Sequence, residues 1–242
     1  MRIVILGLSI TSSWGNGHAT TYRALVKGLA ARGHDVLFLE RDVPWYARER
    51  DLPEPPWGET HLYGSLEELG DRHRQTVRNA DVVVVGSYVP EGVVAARWVL
   101  THARGATAFY DIDTPVTLSK LDRGDEEYLE RRLVPLFDLY LSFTGGPILK
   151  RLERRYGARR AVPLYCSFDP ELYSPDEVEP EWELGYMGTY SADRQPGLET
   201  LLLEPARRLP ERRFTVAGPQ FPEEIDWPGN VVRTEHVPPA VH

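Results

Sequence analysis

Short apolar runs, each followed by a loop and then by an amphipathic helical pattern, recur along most of the chain. Arg2 to Leu6 reads as a strand, Ala19 to Ala31 as a helix closed by Gly33 in the left-handed C-cap conformation, and Asp35 to Glu40 as a second strand. A strand, helix and strand of these lengths form a βαβ unit with parallel strands and a right-handed crossover. Asp51 to Glu59, interrupted by Pro53, Pro55 and Pro56, reads as a loop, and Leu66 to Asn79 as a helix. Val82 to Val85 is a continuous β-branched run, the pattern of a strand covered on both faces. A helix over Gly92 to Ala103 and a strand over Ala106 to Tyr110 follow, and then strands at Leu139 to Phe143 and Ala161 to Tyr165 flank a helix at Pro147 to Tyr156. Strands and helices in this alternation predict a doubly wound, Rossmann-like α/β domain over residues 1–172, with six strands.

The pattern changes after that domain. Ser174 to Glu183 is acidic and carries prolines, which suits a linker over 173–183. Residues 184–242 restart the alternation with a strand at Leu184 to Gly188, a helix around Leu198 to Leu209, a strand at Arg213 to Ala217 and a short run at Val231 to Arg233. That stretch is too short for a second doubly wound domain of ordinary size, so the second Rossmann-like domain is expected to be incomplete.

Composition narrows the class. With 242 residues, 42% of them apolar, the chain can bury a sizeable core, and a net charge of −8 argues against general nucleic-acid binding, which rests on neutralising phosphates with Lys and Arg. A single cysteine, Cys166, excludes an internal disulfide and fits a reducing compartment, with the cytoplasm as the expectation. No run has the length of a membrane span. The basic stretch Lys150 to Arg155, continued by Arg159 and Arg160, suits either a solvated helix face or peripheral contact with an anionic membrane.

Candidate chemistry concentrates in loops that follow strands. Gly7 to Arg23 is rich in glycine and hydroxyl residues and leads into a helix, a place where free N–H groups and the helix dipole suit an anion. Asp111 and Asp113 lie just beyond the carboxyl end of a buried strand, the edge where ligands bind in such sheets. They suit acceptor hydroxyls, a general base or a partner for His18; equally, Asp113 suits a cap for the turn before Thr114-Pro115. No spacing of His, Cys, Asp and Glu completes a metal site.

Several motifs, taken in order, resemble those of GT-B glycosyltransferases of the family 4-like and spore-coat glycosyltransferase-like group. They are GNGHATTYR (Gly15 to Arg23), DIDTPVTL (Asp111 to Leu118), PLYCSFDPELYSP (Pro163 to Pro175), GYMGTYSADR (Gly185 to Arg194) and FTVAGP (Phe214 to Pro219). The resemblance implies two facing Rossmann-like domains, a nucleotide-diphosphate-sugar co-substrate held by the second, an acceptor of unknown identity held by the first, and transfer without a metal or other cofactor. It assigns His18 the part of general base, for which histidine is suited by its near-neutral titration, with Asp113 as orienting group or base. A helix residue bonded to Thr20 or Thr21 is the alternative for His18. Gly15, Asn16, Gly17 and Asp111 become the acceptor side. Gly188, Thr189, Tyr190, Arg194, Gly218 and His236 become the donor side, with Arg194 as the phosphate-binding cation and Thr189 where relatives often carry arginine. The family's glutamate-bearing donor helix is not visible before His242, so the resemblance leaves open a truncated transferase or a non-catalytic sugar-binding or coat module.

One further alternative is an NAD(P)-dependent oxidoreductase, since the first strand, a glycine loop and Glu40 at the end of the second strand mimic a dinucleotide site. The glycines are misplaced for it: Gly7 is followed by Leu8-Ser9-Ile10 rather than by a second glycine.

Overall fold

The computed structural model describes residues 1–175 and 177–237, so Asp176 of the expected linker and residues 238–242 of the expected second domain lie outside the described residues. The chain divides into two compact units: Met1–Ser12 with His18–Asp169, and Ser13–Gly17 with the described residues from Pro170 onward.

In the first unit, β1 (Arg2–Gly7), α1 (His18–Ala31), β2 (Asp35–Arg41), the short α2 (Pro44–Ala47), β3 (Glu59–Tyr63), α3 (Leu66–Asn79), β4 (Val82–Gly86), α4 (Gly92–His102), β5 (Ala106–Asp111) and α5 (Thr114–Asp122) follow one another. A 3-10 turn (Arg131–Leu136), β6 (Leu139–Ser142), α6 (Pro147–Tyr156) and β7 (Ala161–Pro163) complete it. All seven strands are parallel, in the order β3-β2-β1-β4-β5-β6-β7. Period-2 alternation divides the strand side chains between two faces. Val4, Leu6, Val83, Val85 and Phe109 face one core, and Ile3, Ile5, Val84, Ala108 and Tyr110 face the other. Burial on both sides is why Val82 to Val85 carries no polar residue.

Two elements depart from the sequence expectation. The proline loop ends at Gly58, and Glu59–Tyr63 pairs with Leu37–Arg41 as a seventh, edge strand. Only Tyr63 of that strand is buried, so its sequence lacks the apolar signal of the inner strands. No helix is expected after Asp113, yet Thr114-Pro115 opens α5; proline is tolerated in a first helical turn because its missing N–H has no partner there.

The second unit carries β8 (Leu184–Met187), α7 (Gln195–Leu198), a π turn (Glu199–Leu203), α8 (Glu204–Arg208), β9 (Phe214–Ala217) and β10 (Val231–Thr234). Its three described strands are parallel, in the order β10-β9-β8. The helix expected around Leu198 to Leu209 is continuous but contains the π turn, which ends two residues before Pro205, whose ring nitrogen offers no hydrogen to an α-type ladder. Leu198, Leu202, Leu203 and Ala206 pack on Phe214 and Val216 to form this unit's own core.

Candidate functional site

The strand order of the first sheet reverses between β1 and β4, and the loops after these strands open the crevice where doubly wound sheets bind ligands. His18 begins α1 after the β1 loop, Ser87 follows β4, and Asp113 follows β5. Their side chains meet. His18 Nε2 lies 3.0 Å from Asp113 Oδ2, and the Ser87 hydroxyl donates to the same oxygen at 2.8 Å. Ser87 Oγ in turn accepts from the Ile112 N–H at 3.0 Å. Asp113 occupies the N-cap position of α5, yet its side chain makes no cap bond. Its carboxylate is committed to the crevice rather than to the helix.

Burial divides the roles within this pair. The His18 side chain is 8% exposed, its Nδ1 is buried with no hydrogen-bond partner among the described residues, and its Nε2 is engaged by Asp113. No bond to Thr20 or Thr21 is formed by that ring. The Asp113 side chain is 25% exposed, and no donor reaches its Oδ1 among the described residues. Asp113 therefore presents the open acceptor atom, whereas His18 fixes the other oxygen.

Close packing sets where His18 sits. Tyr22, one turn further along α1, has its ring 6.2 Å from that of His18 and packs edge-on against Phe38 and Tyr110. A Cβ on Gly86 would collide with the Tyr22 hydroxyl, and one on Gly7 with the rings of Phe38 and Tyr22, so both glycines are needed for close helix-to-sheet approach. Tyr88 packs edge-on to His18 with ring centroids 6.3 Å apart. Its φ of 57° is uncommon for a residue with a side chain, and such strain concentrates at functional sites.

Asp111 departs from the acceptor-contacting part that its place at a strand end suggested. Its side chain is wholly enclosed, and its oxygens accept from Tyr140 Oη at 2.5 Å, Thr117 Oγ1 at 2.7 Å and the Asp113 N–H at 3.1 Å. Burial pushes its carboxyl up to about 6 against the lowering effect of those donated bonds.

The opening loop is tied down rather than open to an anion. Glu40 is fully buried and accepts from Ile10 N–H at 2.7 Å, Thr11 N–H at 3.0 Å, Thr11 Oγ1 at 2.6 Å and Ser9 Oγ at 3.3 Å. Arg23 adds a bond to the Ile10 carbonyl at 2.8 Å and a bidentate pair with Asp51. Glu40 thus has no free oxygen for a ribose, which removes the support for a dinucleotide site. Nothing in the sequence signalled this role beyond an acidic residue at the end of a buried strand.

In the second unit, Gly15 takes φ 64°, and its carbonyl accepts from Thr189 Oγ1 at 2.9 Å. Asn16 is half-buried, with its side-chain amide on the Trp14 carbonyl, and Gly17 is exposed. Gly218 takes φ 142° where a Cβ would collide with the Gly188 carbonyl, so the loops after β8 and β9 lie backbone against backbone. The Tyr190 N–H donates to the Pro219 carbonyl, and the Tyr190 ring packs on Phe221. Arg194 is exposed at the start of α7 and has no ion-pair partner among the described residues. His236 follows β10 and is half-buried.

Of the remaining motifs, the basic helix face is partly neutralised, with Arg151 and Arg155 both on Asp122. Cys166 is exposed, and partial desolvation of its sulfur raises the thiol, which weakens it as a nucleophile. Among the described residues, no group of three or more His, Cys, Asp and Glu side chains is arranged to hold a metal, and no helix is long and apolar enough to cross a membrane.

By sequence, no family model and no curated protein matches the chain. By structure, it superposes on sucrose-phosphate synthase from Thermosynechococcus elongatus with a TM-score of 0.67 at 15% identity, covering 99% of this chain and 72% of that one. Anabaena HepE in complex with UDP-glucose gives 0.67 at 14% identity, over 99% and 70% of the two chains. The chain has the GT-B fold. A putative UDP-N-acetylglucosamine 2-epimerase from Listeria monocytogenes shares this GT-B fold at a TM-score of 0.56 and 12% identity, covering 98% of this chain and 69% of that one. Identities this low establish the GT-B architecture, and the chemistry has to be argued from this chain's own residues.

Proposed function

We propose that the chain is a glycosyltransferase that moves a sugar from a nucleotide-diphosphate sugar to a hydroxyl acceptor without a metal. The observation that carries this reading is the open Oδ1 of Asp113, on a carboxylate whose Oδ2 is held by both His18 and Ser87 at the switch point of a GT-B sheet. The Ser87 hydroxyl donated to Oδ2, with His18 Nε2 beside the same oxygen, fixes the direction of the carboxylate and leaves the other oxygen to take a proton.

In the transfer, Asp113 Oδ1 accepts the proton of the acceptor hydroxyl as that oxygen bonds to the anomeric carbon. The bond from that carbon to the phosphate oxygen breaks, and the nucleoside diphosphate leaves with the electron pair. His18, its Nε2 engaged by Asp113 and its Nδ1 enclosed, orients the base and does not act as one. Charge developing on the diphosphate calls for N–H groups and a cation. The unpaired Arg194 and the closely packed loops at Gly188 and Gly218 suit that part. The proposal extends to Tyr190 and His236 as flanking groups for the nucleotide and to Gly15, Asn16 and Gly17 as backbone that lets the acceptor approach. A cytoplasmic setting is proposed on the single cysteine.

Thermal-shift measurements with UDP-, GDP- and dTDP-sugars against NAD(P) test the reading. A ligand at one hundred times its Kd stabilises by about 2.7 kcal/mol. Stabilisation by a nucleotide sugar is expected, and stabilisation by NAD(P) alone overturns it.

A further inference from the structure

The buried carboxylate of Asp111 touches no ligand-accessible surface, yet it is joined to both groups that flank His18. On one side it accepts the Asp113 N–H at Oδ1, and so holds the backbone of the residue whose carboxylate meets His18. On the other side a chain of hydroxyls leads outward. Thr117 Oγ1 donates to Asp111 Oδ1 at 2.7 Å, Tyr128 Oη lies 2.7 Å from Thr117 Oγ1, and the Tyr88 ring packs tilted against that of Tyr128 with centroids 4.4 Å apart. Tyr88 then meets the edge of His18. Tyr140 Oη closes the cluster on Oδ2 at 2.5 Å.

An ionised carboxylate only accepts, so every donor in the cluster is turned toward Asp111 and the chain of bonds has one sense. Both arms end on Oδ1, so a carboxamide with its oxygen there keeps them and only turns the Tyr140 hydroxyl around, whereas a side chain without an acceptor loses both. An isolated buried carboxylate is costly, and burial does raise Asp111. An apolar residue at that depth would pack without this cost. A charge retained there, with three donors, is therefore accounted for by what those donors position.

We infer that Asp111 is a positioning residue: through the Asp113 amide and through the Thr117-Tyr128-Tyr88 chain it holds the carboxylate and the ring between which His18 is set. This rests on the transferase reading only in giving the His18–Asp113 pair its purpose; the inference itself concerns the geometry of the pair.

The test reads that geometry without substrate. In the 15N-labelled full chain at pH 7.5, a His18 ring held on Asp113 through Nε2–H gives a protected ring-proton signal, assigned by its loss in Asp113→Asn. Asp111→Ala, which removes the acceptor of both arms, is expected to remove that signal while the amide spectrum stays dispersed and folded. Thr117→Val, nearly isosteric, is expected to speed exchange of the ring proton at least fivefold. A ring proton as protected in both variants as in the wild type overturns the inference and leaves the transferase reading standing. Absence of the signal in the wild type refutes the pair itself, and the proposed base with it. Should Asp111→Ala fail to fold, Thr117→Val decides the matter alone by the same criterion.

Discussion

Ser87 and His18 address the same carboxylate oxygen of Asp113, at 2.8 and 3.0 Å, from loops that follow two different strands of the sheet. A carboxylate held in this way at a switch point has one oxygen fixed and one available, which is the arrangement a general base requires.

Removing the serine hydroxyl frees the carboxylate to rotate and strands the Ile112 N–H. Ser87→Ala is expected to cost about 1 kcal/mol in stability and to lower nucleotide-sugar turnover roughly tenfold at unchanged donor KM. Urea unfolding and steady-state kinetics measure the two effects, and wild-type kcat in Ser87→Ala would contradict the account.

Helix α1 owes its height above the sheet to glycine. Gly86→Ala drives a methyl group into the Tyr22 hydroxyl and is expected to destabilise the fold by about 1–3 kcal/mol through overpacking. Gly17→Ala, with no atom within 4 Å of its added Cβ, is the control and is expected to leave denaturant midpoints within about 0.5 kcal/mol of wild type.

Glu40 is the clamp of the opening loop. Glu40→Gln replaces an acceptor-only group facing two N–H donors and two hydroxyls. A loss of about 1–3 kcal/mol is expected, with faster amide exchange at Ile10 and Thr11. An unchanged exchange rate there would contradict the clamp.

Asp111 gives stability a pH dependence of known sign. Its carboxyl is raised by burial from 3.8 to about 6. Between those values the unfolded chain has released the proton that the folded chain retains, so stability falls as pH rises through this window. The full effect is about 3 kcal/mol, an order-of-magnitude figure. Asp111→Asn lacks it, so the stability of that variant relative to wild type is expected to improve from about pH 4 to about pH 6.5. Urea titrations at intervals across this range check it, and a constant difference would contradict the buried, raised carboxyl.

The inner strands were legible because burial on both faces leaves an unbroken apolar record, as in Val82 to Val85. The edge strand Glu59–Tyr63 was not, since four of its five residues escape full burial and only the backbone ladder to β2 defines it. The π turn at Glu199–Leu203 was likewise hidden in an ordinary helical pattern, with Pro205 its one trace. In the site, the places of His18 and Asp113 in loops after strands pointed to chemistry, but which nitrogen meets the carboxylate depends on packing around Tyr22 that no local pattern encodes. Ser87 was missed for the same reason: one serine after a valine run carries no signal until β4 and β5 are side by side. Asp111 and Asp113 were read as a matched pair, and strand alternation would put residues two apart on one face; they part because β5 ends at Asp111 and the chain turns at Asp113 into α5, one carboxylate lying in the core and the other in the crevice.

The most direct test of the transferase account is turnover of a panel of UDP-, GDP- and dTDP-sugars by the full chain and by Asp113→Asn, with release of nucleoside diphosphate as the readout and donor binding followed in parallel. The account predicts release from at least one sugar nucleotide that falls at least a hundredfold in Asp113→Asn while donor affinity is unchanged. Equal release by the wild type and by Asp113→Asn would contradict it.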